Sequence, residues 1–232
     1  MQLETVLYPV RVRGDLDPAL SRWQWLVKWI LAIPHYIVLF FLHIAYVVVT
    51  VIAFFAILFT GRYPRGLFDF NVGVMRWRWR VIFYALSPLG TDKYPPFSLQ
   101  PNSEYPADLE VDYPQQLHRG LVLIKWWLLA IPHYLILAAF FYSGLQFTGT
   151  DNGDGGGGFV LVPLIDILLL IVVVALLFTA RYPKGLYDFV MGINRWGIRV
   201  HVYAALMRDE YPPFRLDMGP REPHPPAAPE SA

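Results

Sequence analysis

Two halves of this chain repeat each other, and a chain built from two copies of one pattern must fold so that each element finds an equivalent place twice. Lys28-Trp29-Ile30-Leu31-Ala32-Ile33-Pro34-His35-Tyr36 is answered by Lys125-Trp126-Trp127-Leu128-Leu129-Ala130-Ile131-Pro132-His133-Tyr134. Phe59-Thr60-Gly61-Arg62-Tyr63-Pro64-Arg65-Gly66-Leu67-Phe68-Asp69-Phe70 returns as Phe178-Thr179-Ala180-Arg181-Tyr182-Pro183-Lys184-Gly185-Leu186-Tyr187-Asp188-Phe189. Each copy closes on Tyr-Pro-Pro-Phe, at Tyr94 and at Tyr211. The pattern divides the chain into a first unit over 1–103, a second over 104–216, and a proline-rich tail over 217–232 that reads as disordered.

The residues are 56% hydrophobic and 16% charged, where soluble domains have roughly 45–50% and about 25%. The apolar excess lies in Leu26–Gly61 and Leu121–Ala180, which points to a membrane protein. With no cysteine, disulfides, thiolate catalysis and cysteine-ligated metals are excluded. Pro34 and Pro132 lie 98 positions apart but Arg62 and Arg181 lie 119 apart, so the second unit carries 21 extra residues. These fall between Tyr142 and about Leu164 and include Asp151, Asp154 and a run of four glycines. A polar, glycine-rich backbone cannot sit in hydrocarbon, where each unpaired group costs several kcal/mol.

As one helix, Leu26–Gly61 would be about 54 Å long, against about 30 Å of hydrocarbon. The expected fold is therefore mainly α and integral to the membrane: two helical hairpins, four transmembrane helices. The spans are about 22–42 and 46–61, then about 121–142 and 159–180. The first turn, near His43–Tyr46, has neither Gly nor Pro, and one long kinked helix is the competing reading there. All nineteen Lys and Arg lie outside 29–61 and 126–180. Both ends of each block then belong on the cytoplasmic side, which calls for an even number of crossings, cytoplasmic termini and an outward insertion.

After each Arg-Tyr-Pro turn the residues Asp69, Gly73, Arg76 and Arg80 share one helical face, and Trp77, Val81 and Tyr84 an adjacent one. That composition suits a helix lying in the interface with its basic face toward headgroups. A strand over Met75–Tyr84 competes with it, but Gly197 interrupts the alternation in the second unit. Segments Tyr8–Arg13, Tyr94–Leu99, Tyr105–Val111 and Tyr211–Leu216 read as short edge strands.

These motifs, taken together, resemble a bacterial integral membrane family, domain of unknown function 4389, present here as two tandem copies covering nearly the whole chain. The resemblance implies a bacterial cytoplasmic membrane location. It carries no activity, substrate, cofactor or site residue.

Ionisable groups inside spans are functional candidates by default: here His35, His133 and Asp166. Each histidine reads either as a neutral packed imidazole or as part of a proton relay. A second candidate set is Arg62, Asp69, Arg76 and Arg80 with its repeat Arg181, Asp188, Arg195 and Arg199. It reads as a structural charge cluster or as a grip on anionic lipid headgroups. Asp151-Asn152-Gly153-Asp154 lacks the acidic residue that a calcium loop needs at position 162, which is Val162. No nucleophile, Walker, dinucleotide or metal-ligand motif occurs. The expectation is a non-enzymatic scaffold or anionic-lipid module without cofactor or metal. Its partners would be membrane lipids and a membrane protein or second copy, not nucleic acid. The alternative is a small transporter or channel subunit using the intramembrane histidines and aspartate.

Overall fold

The structure is a computed structural model and describes residues 8–141, 162–179 and 181–222. It is mainly helical, with one two-stranded sheet. Strand β1 (Val10–Gly14) pairs antiparallel with β2 (Ala107–Val111), Val10 opposite Val111 and Gly14 opposite Ala107. Two of the four expected strands thus form. Tyr94–Leu99 and Tyr211–Leu216 join no ladder; their paired prolines have no N–H to donate to one.

The first apolar block is not a hairpin. Helix α1 (Trp25–Leu31) breaks at Ala32 and α2 (Ile33–Thr60) continues for 28 residues, straight through His43–Tyr46. Nothing in that stretch stops a helix, since it holds no Gly or Pro. Pro34 sits in the first turn of α2, where its missing N–H is needed by no carbonyl. The helix ends on Gly61, whose φ of 72° is the left-handed cap that glycine adopts without strain.

The second unit repeats this arrangement with two interruptions. Helix α4 (Leu121–Ile124) runs into a π-helical turn (Lys125–Leu129), followed by α5 (Ile131–Phe141) and α6 (Leu164–Thr179). Lys28 precedes Pro34 by six positions whereas Lys125 precedes Pro132 by seven. A single extra residue in a helix is absorbed as a wide π turn, which explains the one found here. The buried residues of α2, His35, Tyr46, Ala53 and Ile57, are matched at the repeat offsets by His133 in α5 and Ile165, Val172 and Leu176 in α6. Helices α5 and α6 are therefore counterparts of the two halves of α2, and the extra residues enter at the position of its midpoint. The insertion itself, 142–161, lies outside the described residues.

Helices α3 (Arg65–Ala85) and α7 (Lys184–Ala204) follow the Arg-Tyr-Pro turns. Helix α3 runs back along α2: Asn71 Nδ2 donates to Thr50 Oγ1 at 3.1 Å, Trp77 meets His35, and Tyr84 and Ala85 pack on Ala32. Its basic face does not turn outward toward headgroups as expected. Its Arg76 and Arg80 are buried against β2, because carbonyls and a carboxylate await them there. The units also exchange strands. β2 opens the second unit but packs on α3, while β1 opens the first but receives Arg195 on the Val12 carbonyl and the Tyr187 hydroxyl on the Gly14 carbonyl.

Two helical stretches, Ile33–Thr60 and Leu121–Phe141, are long and apolar enough to cross a membrane. Only 11% of the most apolar window of α2 is buried, so it is no core helix of the usual kind. Phe40, Phe41, Val48 and Phe59 of α2 and Leu135, Leu170 and Phe178 of the second unit all stand exposed.

Candidate functional site

Three repeated motifs converge on each histidine. His35 Nδ1 accepts a hydrogen bond from Trp77 Nε1 at 3.0 Å, and its ring stacks on Phe97 at 3.9 Å. Tyr94 leans on the same ring and donates its hydroxyl to the Leu31 carbonyl. In the second unit His133 takes Trp196 at 3.2 Å, stacks on Phe214 at 4.1 Å, and Tyr211 donates to the Leu129 carbonyl. A ring that accepts at Nδ1 keeps its proton on Nε2 and is neutral. Both imidazoles are fully buried and walled by aromatics, so they bolt the long helix, the second helix and the Tyr-Pro-Pro-Phe segment together. Asp166 stands exposed in the first turn of α6 and makes no ion pair with His133 among the described residues.

The eight charged candidates do not form one surface. Arg76 and Arg80 share Asp108 Oδ1 at 3.0 and 3.1 Å, and donate further to the Leu109, Leu99 and Gln100 carbonyls. Arg199 meets Asp217 and Glu222, and Arg195 meets Glu222 at 3.1 Å. The segment 217–222 is therefore packed, not a disordered tail, because two fully buried guanidiniums require its carboxylates; residues 223–232 lie outside the described residues. Asp69 pairs with Arg65 at 3.5 Å on the surface, rather than tying the turn through Arg62. Asp188 is half-buried. Arg62 and Arg181 are exposed, and Arg62 joins Gln116 and Arg119 around a basic pocket of about 380 Å³.

Repetition could have flagged the lysines. Lys28 is buried on Asp92 (2.7 Å) and the Thr91 carbonyl, and Lys125 on Asp209 (2.7 Å) and the Arg208 carbonyl. Their partners follow the second helix of each unit, so each repeat ties its own start to its own end.

Between α2 and the second unit lies an apolar groove of about 750 Å³. Val51 and Phe55 of α2 form one wall and Trp126, Leu137 and Val200 the other. Its polar element is Tyr46, whose hydroxyl lies 3.1 Å from His201 Nε2, with His43 stacked parallel to the tyrosine. Neither Tyr46 nor His201 is singled out by the repeat, since the matching positions are Ile165 and Ile82. Gly197 lines the groove where the first unit has Arg78.

Burial, with Arg78 and His43 nearby, holds the His201 imidazole down at about 3. The unfolded chain takes a proton on this residue near pH 6.5, which the folded chain refuses until about pH 3. Stability should therefore fall as pH descends through that window. Denaturant melts at neutral and mildly acidic pH should show a smaller acid loss in His201→Gln than in the parent; an equal loss would show that the residue is not held neutral.

A family model described as Domain of unknown function (DUF4389) matches residues 22–98 and 160–215, more than half of the chain. The matched parts hold both Arg-Tyr-Pro turns, both second helices and both Tyr-Pro-Pro-Phe segments. No curated protein and no solved structure matches. The first histidine cage, the Trp196, Tyr211 and Phe214 walls of the second, and all four buried arginines lie within the residues this family model covers, and the chain belongs to the DUF4389 family.

Proposed function

We propose that this chain is a non-enzymatic module bound to the cytoplasmic face of the bacterial membrane, with its long apolar helices lying in the plane of one leaflet. The observation that carries the reading is that α3 accompanies α2 along its length and carries the sheet on it. At 1.5 Å per residue α2 is about 42 Å long, more than the roughly 30 Å hydrocarbon thickness. Were it upright, exposed Arg78, which acts electrostatically on Tyr46 at the helix midpoint, would sit near the bilayer centre. A charged arginine there costs about 2.5–3.5 kcal/mol on insertion scales and more by other estimates. The polar insertion would open at the same depth, where its backbone has no partners.

An in-plane helix removes all three conflicts. Its wide apolar side meets acyl chains, its narrow buried stripe meets α3, and the charged sheet stays in water. It also keeps the basic residues of both block ends in one compartment, the property from which hairpins were expected. Anionic headgroups then fall to the exposed cations at the rim, Arg62, Arg119 and Arg181, each contributing about 1 kcal/mol. Vesicle flotation tests this reading. Phe41→Glu with Val48→Glu, both on the exposed side of α2, should release the protein, and Arg62→Ala with Arg119→Ala should weaken binding only to vesicles containing anionic lipid. Undiminished flotation of the glutamate variant would remove the reading.

A further inference from the structure

The groove between the units is of a size and lining that small-molecule sites share: roughly 300–1,000 Å³, mostly apolar, with a few convergent polar groups. Val47, Val51, Phe55, Trp126 and Tyr134 both line it and stand 41–52% exposed, so its walls run without a break into the apolar outer face of the protein. Water would leave that lining unsatisfied, whereas an acyl chain entering from the outer face would cover it. Arg78 of the first unit is replaced in the groove lining by Gly197, where a Cβ would meet Phe141 at 3.6 Å and Leu137 at 3.9 Å. These are ordinary contact distances, so a methyl is tolerated there and a larger side chain must enter the groove or displace α5. At the polar end, the Tyr46 hydroxyl and His201 hold each other, and exposed His43 faces outward beside them.

We infer that this groove is a lipid site that holds one acyl chain of a phospholipid from the leaflet in which the protein lies, with His43 toward the ester and phosphate oxygens. The inference rests on the in-leaflet reading for the source of the lipid. A surface-bound lipid exchanges freely, but one threaded between the two units is retained when the bilayer is removed.

The full chain is extracted from membranes in mild detergent, and bound lipid is measured by native mass spectrometry and by phosphorus content after solvent extraction. The parent should carry a single phospholipid per chain. Val51→Trp and Gly197→Leu, which fill the groove from opposite walls, should each lower that occupancy about tenfold. Val51 is half-exposed, so Val51→Trp leaves the core intact and decides the matter if Gly197→Leu melts early. Flotation on phosphatidylglycerol vesicles should be unchanged in both. A parent without bound phospholipid, a bound free fatty acid in its place, or full occupancy in Val51→Trp would overturn the inference. Loss of flotation by the parent would instead count against the membrane reading, and the two failures are thus separable.

Discussion

Asp108→Ala should destabilise the protein by about 3–5 kcal/mol, because it strands buried cations that pair with no other carboxylate among the described residues. Arg76 and Arg80 both rest on Asp108 Oδ1, and Arg80 is wholly buried. Their remaining donors go to carbonyls of Leu99, Gln100 and Leu109, which supply dipoles but no compensating charge. The loss should be felt across both units, since Asp108 lies on β2 while the arginines lie on α3. Asp108→Asn, which keeps an acceptor, should cost less. Glu110→Ala, two residues along the same strand, breaks only the exposed contact with Arg11 and should cost under about 1 kcal/mol. Tryptophan fluorescence during denaturant unfolding in detergent reads all three. Equal midpoints for Asp108→Ala and Glu110→Ala would mean that the buried arginines are not held by this carboxylate.

The second large effect belongs to the end of the chain. Asp217→Ala combined with Glu222→Ala takes both carboxylates from Arg199 and leaves Arg195 on backbone carbonyls, and should cost about 3–5 kcal/mol. Asp217→Ala alone should cost much less than half of the double, because both arginines keep Glu222, whereas Glu222→Ala alone should cost more, because it takes the carboxylate paired with Arg195. Such neighbours are not additive. A double variant as stable as the parent would return this segment to the disordered tail that its prolines suggested.

What could be read in the sequence follows from what repeats. The Pro-His motif, the tryptophan of the second helix and Tyr-Pro-Pro-Phe each occur twice, and they meet in two matching cages. The second helix was legible from the 3.6-residue spacing of Trp77, Val81 and Tyr84. Its orientation was not. Arginine beside tryptophan next to an apolar block reads as headgroup contact, and only the carboxylates of Asp108, Asp217 and Glu222 reverse that. Those carboxylates come from distant segments, and Asp108 belongs to the opposite unit, so no local spacing announces them. The first hairpin, which α2 replaces with one continuous helix, was expected for a related reason. Basic residues at both ends of a block require one compartment, and a helix lying flat meets that requirement as well as two crossings do. The one-residue difference between Lys28–Pro34 and Lys125–Pro132 was visible in the letters, but its meaning as a π turn depends on both lysines being pinned to buried aspartates.

The most direct test of the in-plane account uses the absence of cysteine from the chain. Single cysteines at Ser21, Ser103 and Thr150, the last within the inserted segment, are probed with a membrane-impermeant maleimide in intact and in opened cells. The account predicts that all three react only once the cells are opened. Labelling of Thr150→Cys in intact cells while Ser21→Cys stays protected would show that the second unit crosses the bilayer, and would contradict it.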